Sequence, residues 1–409
     1  MKSQKMILDP AKLSVPLEEM RALRILSVGA GSLGSLLCSL LVQSGAEHLT
    51  LIDPDRLEAR NLAKSALYTG ADVGDYKAPA AARRLRELMP SGEVTGIRGL
   101  VQDLGPSALA GFDYLFVGVD NYAAKLWINR LWKQIPLLPG RRRPRLILLG
   151  TMEELSSAAL LDGEDSCLEC YLGELEGEDA EHRRRCGVSY GTDTSSLQVQ
   201  TSVLAGTASV TAGIYLLLAD LRGERWCLNR RFWLSGRTLE FRSAPLTKTR
   251  DCKACPLTPP VKLLTLEGSS VFSLTAGEAL SRIERKMGPT RLHLPPGSPF
   301  LLRDYCRACG APLEPMAPAR RVVEKNLLCR ACASSGSPAR LERLELPLPE
   351  LCAFLTTSSD PKLLNLSLFR LGFGVGDFLY AENERGLTCF CCANDESELH
   401  SGDDKEWLS

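Results

Sequence analysis

The chain has 409 residues, 44% of them hydrophobic, and its 49 Lys and Arg are matched by 49 Asp and Glu, so the formal net charge is zero. That length supports two or three hydrophobic cores, and the neutral balance removes any global electrostatic case for a nucleic-acid binder. The N-terminus is mixed in charge, and the longest apolar helical run, 203–219, is interrupted by Gly206, Ser209, Thr211 and Gly213, so neither a secretion signal nor a membrane span is expected and the setting is expected to be cytoplasmic.

Residues 1–24 read as a lead-in, with Leu17, Met20, Ala22 and Leu23 on the apolar side of a helix. From there to residue 150, apolar strand-like runs at 25–28, 49–52, 93–97, 114–119 and 145–149 alternate with helical segments. The alternation predicts an α/β fold with a doubly wound, mostly parallel sheet of the Rossmann-like kind. The first run enters a turn holding Gly29, Gly31 and Gly34, a helical run follows at 35–43, and the second strand ends on Asp53. Glycines there let the backbone approach a phosphate at a helix N-terminus, and the later acid accepts hydrogen bonds from a ribose. After Asp53 come Asp55, Asn61, Lys64 and Lys77, a polar set that hydride transfer would not need but that suits a triphosphate. Asp53 and Asp55 can serve a ribose or a magnesium ion, and Asp120, at the end of the run 114–119, is a second magnesium candidate. The alternative for Lys64 and Lys77 is a solvated helix surface. Residues 78–88 form an amphipathic covering helix.

Fifteen cysteines are present, and eight of them fall into four Cys-x-x-Cys pairs, a pattern that points to metal in a long chain without a secretion signal. Cys167 and Cys170 form the first pair, and Cys252 and Cys255 the second; their separation is too long for spacing alone to show a shared site. Between them, Cys186 follows His182 and three arginines in a loop rich in Gly, Ser and Thr, an electropositive setting that favours the thiolate; the alternative is an incidental loop cysteine. Cys38 and Cys227 read as packed. Residues 256–260 are a linker, followed by a strand at 271–274 and a helix at 276–287. Cys306, Cys309, Cys329 and Cys332, two pairs separated by nineteen residues and set near turns, predict a structural zinc ribbon over 303–335. Cys389, Cys391 and Cys392 crowd near the end and are open to metal binding, thiol chemistry or neither, and the tail 391–409 is acidic, polar and expected to be disordered.

The series GAGSLG at 29–34, LIDPDRLEARNLAKS at 51–65, VGDYK at 73–77 and VGVDN at 117–121 resembles the adenylation domain of the ubiquitin-activating enzyme superfamily, which includes the ThiF and MoeB adenylyltransferases. The resemblance implies ATP and magnesium as cofactors, a ubiquitin-like protein as substrate and a homodimer. It implies Asp53 on the ribose, Asn61 and Lys77 on the phosphates and Asp120 on magnesium. It also implies that Cys167, Cys170, Cys252 and Cys255 share a structural zinc ion and that Cys186, in a mobile loop over 171–200, is the reactive cysteine. Two positions depart from the family pattern. Lys64-Ser65 stand where Arg-Gln is usual, replacing a planar fork by a point charge, and an N-terminal arginine that reaches across the dimer has no counterpart in residues 3–8, where Lys2 or Lys5 would have to substitute. The segment LSLFRLGFGVGDFLYAEN resembles the last strand of a β-grasp domain, expected over 340–390, of the kind that recruits a conjugating enzyme.

The resulting expectation is an adenylation domain over 1–260, a C-terminal unit over 261–390 and a free tail. Three functions fit: a ubiquitin-type activating enzyme that passes its substrate through a cysteine thioester to a conjugating enzyme, a sulfur-carrier adenylyltransferase, or a scaffold built on a degenerate adenylation domain. Neither a nucleic-acid nor a membrane partner is expected.

Overall fold

The structure, a computed structural model, describes residues 16–170, 202–295 and 354–392 with short interruptions at 66, 121, 136–141, 153, 165, 249–251, 253 and 256–262, together with short pieces between 300 and 352 and the pair 405–406. The loop 171–200 with Cys186, the N-terminal residues Lys2 and Lys5, and Cys306, Cys329 and Cys332 of the expected ribbon therefore lie outside the described residues.

After a short helix α1 (Leu17–Ala22), the chain alternates β1 (Arg24–Val28), α2 (Ser32–Gln43), β2 (His48–Ile52), α3 (Ala59–Leu62), α4 (Lys77–Leu88), β3 (Glu93–Arg98), α5 (Pro106–Leu109), β4 (Tyr114–Val117), α6 (Tyr122–Gln134) and β5 (Arg145–Met152). Strands β3, β2, β1, β4 and β5 pair in that order and in parallel. Then β6 (Leu155–Leu161), β7 (Arg230–Ser235) and β8 (Phe241–Pro245) extend the sheet antiparallel. The parallel strands are buried on both faces, which is why they read as continuous apolar runs rather than alternating ones. One face is covered by α1, α2, α4 and the helix Val203–Leu221, the other by α5 and α6. Val203–Leu221 is long and apolar enough by length and composition to cross a membrane, but its buried side packs on β5, β6 and α2, with Gly213 admitting Leu149 so closely that a Cβ would lie 2.6 Å from it.

A second sheet is built from β9 (Leu263–Leu266), β10 (Arg291–His293), β16 (Phe354–Leu355), β17 (Leu379–Asn383) and β18 (Gly386–Cys392), in the order β16, β10, β17, β18, β9. Between β10 and β16, strand β11 (Phe300–Leu301) pairs with β14 (Ala317–Pro318) and β15 (Leu351–Cys352), and β12 (Asp304–Tyr305) with β13 (Pro312–Leu313). The helix Ala276–Met287 opens on a capping box of Thr275 and Glu278 and ends at Gly288, whose φ of +85° suits glycine.

Three expectations change here. The run 271–274 is a turn rather than a strand, because its carbonyls receive Phe369 and Leu368 from the far end of the unit while Val271 and Leu274 are buried. The segment 340–390 does not close a sheet alone, since β9 and β10 come from before it; the strand read after the Gly-rich corner is β17, and the corner itself docks on the segment 103–107. Val375 exchanges backbone hydrogen bonds with Asp103 and Gly105 (2.7 Å each), and Gly376 accepts from Ser107 at 3.0 Å. A Cβ on Gly376 would stand 2.4 Å from the nitrogen of Ala108, so only glycine permits this approach. One continuous apolar cluster runs from Leu104, Ala108 and Leu109 into Phe373, Val375 and the second sheet. Finally, the tail is not wholly without structure: residues 391–392 complete β18, and β19 (Lys405–Glu406) pairs in parallel with β3, Lys405 opposite Ile97 and Glu406 opposite Arg98. The edge strand β3 offers its unpaired backbone groups there, and composition carries no sign of that.

Candidate active site

The order β3, β2, β1, β4, β5 reverses direction at β1, so a crevice opens at the carboxyl ends of β1 and β4. The glycine turn lies at its floor. Gly29 takes φ +98°, which a side chain would strain, and a Cβ on Gly34 would overlap the carbonyl of Gly29, so α2 can sit this close to β1 only with glycine. Gly31 is different: a Cβ there would meet nothing within 4 Å. The backbone at the N-terminus of α2 thus faces open space, the cradle a phosphate needs.

Asp53, 7% exposed, ties this turn to β2, its Oδ2 accepting from Ala30 N at 2.8 Å and its Oδ1 from Asp55 N at 2.9 Å. Burial raises its pKa and the charge of Asp55 adds to that, while Lys77 pulls the other way. Lys77, the first residue of α4, donates from Nζ to Asp55 Oδ2 at 2.8 Å, and its side chain is only 13% exposed. Burial alone would lower its pKa, but the carboxylates of Asp53, Asp55 and Asp120 outweigh it and hold the lysine above its ordinary value. Asp120, exposed just past β4, is therefore within the field of the same lysine. Asn61 turns its Oδ1 to Glu58 N at 2.9 Å as a helix cap, which directs the amide's Nδ2 as the end able to donate to a phosphate. Lys64 is half-buried, and its carbonyl accepts from Ser32 Oγ at 2.8 Å, which places it at the start of α2. The sequence-derived set Gly29, Gly31, Gly34, Asp53, Asp55, Lys77 and Asp120 is brought together. The three carboxylates do not converge as a closed metal cage among the described residues, so phosphate oxygens and water would complete a magnesium ion here.

Two residues that sequence reading passed over organise this site. Tyr68 donates its hydroxyl to the carbonyl of Ala30 and lies 3.1 Å from that of Lys77, pinning the glycine turn to the start of α4. Asp72, 1% exposed, accepts from Thr69 N and Oγ1 at 2.8 and 2.9 Å, from Arg83 Nη2 at 2.7 Å and from Arg84 Nη2 at 3.0 Å, fixing the turn that delivers Lys77. Burial opposes its ionisation, but the bonds from Thr69, Arg83 and Arg84 win and hold the carboxyl well below the usual carboxylate range. Because the folded-state pKa lies below the unfolded one, this stabilisation is complete above the unfolded value of about 3.9 and is lost as pH falls toward the folded value. Asp72→Asn is expected to cost about 2 kcal/mol at pH 7, with the gap to wild type narrowing at pH 3. Urea unfolding at both pH values checks this, and a gap of equal size at each would show that the ionised carboxylate is not what stabilises the turn. Apart from Thr69, three positions before Asp72, the partners of these two residues lie nine to thirty-eight positions away, which is why sequence reading passed over them.

At the opposite end of α6, Cys167, Cys170, Cys252 and Cys255 bring their sulfurs within 4.8 Å of one another. The individual Sγ separations are 3.5 Å for Cys167 to Cys252, 3.4 Å for Cys170 to Cys255, 3.7 Å for Cys167 to Cys170 and 3.8 Å for Cys167 to Cys255. Four thiolates at a zinc–sulfur distance of about 2.3 Å stand about 3.8 Å apart in a tetrahedron, so this donor set fits zinc. Cys309 is exposed and the rest of its expected ribbon lies outside the described residues.

The sequence model of the ThiF family matches residues 4–257, well over half of the chain. The chain belongs to the ThiF family. Among curated relatives, this ThiF-family chain is 32% identical over 112 residues to the NEDD8-activating enzyme E1 catalytic subunit of Caenorhabditis elegans (27% of this chain, 26% of that protein). It is 30% identical over 158 residues to the corresponding subunit of Schizosaccharomyces pombe (37% of this chain, 34% of that protein). It is 26% identical over 246 residues to the molybdopterin-synthase adenylyltransferase of Escherichia coli (58% of this chain, 89% of that protein). The matches to the two NEDD8 relatives thus span about a quarter and about a third of their length. In this member of the ThiF family, the two departures seen in sequence are both polar positions at the crevice rim or beyond the described residues, whereas Asp53 and the Lys77 side chain are largely buried.

Proposed function

We propose that this chain uses magnesium-bound ATP to adenylate the C-terminal glycine of a ubiquitin-like protein. The observation that carries the reading is the meeting of Asp53, Asp55, Lys77 and Asp120 over a glycine turn with open space above Gly31. A carboxylate oxygen of the partner's last residue attacks the α-phosphorus, the bond from that phosphorus to the bridging oxygen breaks, and pyrophosphate leaves. Lys77 and Lys64 neutralise the developing phosphate charge, Asn61 donates to a phosphate oxygen, Asp53 holds the ribose and Asp120 holds magnesium. The thiolate of Cys186 then attacks the acyl-adenylate carbonyl, AMP departs and a thioester forms, ready for a conjugating enzyme docked on the C-terminal unit. Cys389 suits that step less well, since burial pushes its thiol up to about 12. Exposed Leu204, Tyr215, Trp226 and Phe241 support association with a second copy, and the setting of this reading is the cytoplasm.

A second reading is sulfur-carrier activation, in which Cys186 takes part in acyl-persulfide exchange; the similarity that spans 89% of the E. coli molybdopterin-synthase adenylyltransferase favours it. Pyrophosphate exchange with ATP and a panel of ubiquitin-like proteins tests adenylation, and no exchange with any partner would put the scaffold reading first. Cys186→Ala is expected to retain exchange and lose the reducible covalent adduct seen on non-reducing gels. An adduct that forms only with a sulfur donor present would move the chain to the sulfur-carrier class.

A further inference from the structure

Helix α6 has the candidate magnesium ligand at one end and the four cysteines at the other. Asp120 lies two positions before its first residue, and Asn129 lies nine residues on, about 14 Å at 1.5 Å per residue. Asn129 is fully buried, an unusual place for an amide unless every polar atom is used. Its Oδ1 accepts from Leu168 N at 3.0 Å, inside the first Cys-x-x-Cys pair, and its Nδ2 stands 3.5 Å from Cys167 Sγ and 3.4 Å from Glu169 Oε1. The same helical face sends Arg130 Nε to Glu169 at 3.1 Å and the 5%-exposed Lys133 to the carbonyl of Gly163 at 2.8 Å. Ile128 and Trp132 are fully buried, and Trp132 donates to the carbonyl of Pro144 at 2.7 Å, so the helix is held along its length.

A zinc ion with four thiolates carries a net charge of −2. An N–H aimed at one sulfur, with the 9%-exposed Arg143 in the field of Cys167 and Cys255, offsets that charge in a buried setting and fixes the ligand's direction. We propose that Asn129 is a positioning residue that fastens the four-thiolate cluster to α6, so that metal occupancy sets where Asp120 stands. The role of Asp120 in this statement rests on the adenylation reading; the attachment of α6 to the cluster does not.

Asn129→Asp keeps the shape and the acceptor for Leu168 but sets a carboxylate against the thiolates, and Asn129→Ala removes all three contacts. In the full-length zinc-loaded protein, both variants are expected to release zinc to a chromogenic chelator 10- to 100-fold faster than wild type, on the order of the usual effect of removing a partner that orients a metal ligand. With cobalt(II) in place of zinc, their sulfur-to-metal charge-transfer bands are expected to shift. Amides of 122–134 are expected to exchange with deuterium faster in both variants and in metal-stripped wild type, and the Kd for magnesium-ATP to rise in parallel. Release within twofold of wild type in both variants, or exchange in α6 that ignores metal removal, would overturn the proposal. Wild type that binds no magnesium-ATP would instead sink the adenylation reading, while release rates and amide exchange still decide this one.

Discussion

Asp120→Ala is expected to lower magnesium-dependent pyrophosphate exchange by about a hundredfold to a thousandfold, the usual scale for one electrostatic contributor at a reacting phosphate, while leaving the thermal unfolding temperature close to that of wild type. The separation of the two effects follows from where the residue sits. Asp120 is exposed at the mouth of the crevice, whereas the strand behind it, Tyr114–Val117, is buried at every position. What the carboxylate contributes is charge, felt as far as Lys77, and charge at that place acts on the phosphates rather than on packing. A variant that exchanges at the wild-type rate would take magnesium away from this residue, and one that melts early would make it structural.

Purified protein is expected to hold about two zinc ions per chain, and Cys252→Ser is expected to lose one of them together with a large part of its thermal stability. Cys252 belongs to the segment that follows β8, while Cys167 and Cys170 precede the loop 171–200, so the metal joins two stretches 85 residues apart in the chain. Metal binding of this kind is folding free energy, roughly 10 kcal/mol or more for small structural sites, and its loss in the variant leaves three sulfurs and a hydroxyl packed together with nothing to bind. Metal analysis and calorimetry on the two proteins check this. Two zinc ions in the variant would remove this site, and one in wild type with none in the variant would remove the ribbon proposed from Cys306, Cys309, Cys329 and Cys332.

The parallel sheet could be read directly, because strands buried on both faces leave runs such as 114–117 with no polar break and 49–52 with only the buried Thr50. The glycine turn and its acid were equally plain, since Gly29 and Gly34 each answer a local steric need. What escaped is non-local. Asn129 shows only as a polar residue on a helix until Cys167 is brought beside it, and Gly374 to Gly376 look like a hairpin corner until Asp103 meets them. The tail 391–409 has a composition that favours solvent, yet two of its residues pair with an edge strand through backbone groups, which composition does not record.

The docking of Val375 and Gly376 on the segment Asp103 to Ser107 also bears on how the chain comes off the ribosome. Strand β9 waits for β18, 126 residues further along, before it has its neighbour. Leu104, Ala108 and Leu109 wait longer, since Val375 lies 266 residues past Leu109: at 5–20 residues per second they lack their cover for about 13–53 s. The nascent protein therefore passes through a stage with a finished sheet and a bare greasy flank. A polypeptide stopped at residue 257, where the family match ends, would remain at that stage, prone to clumping and dependent on chaperones.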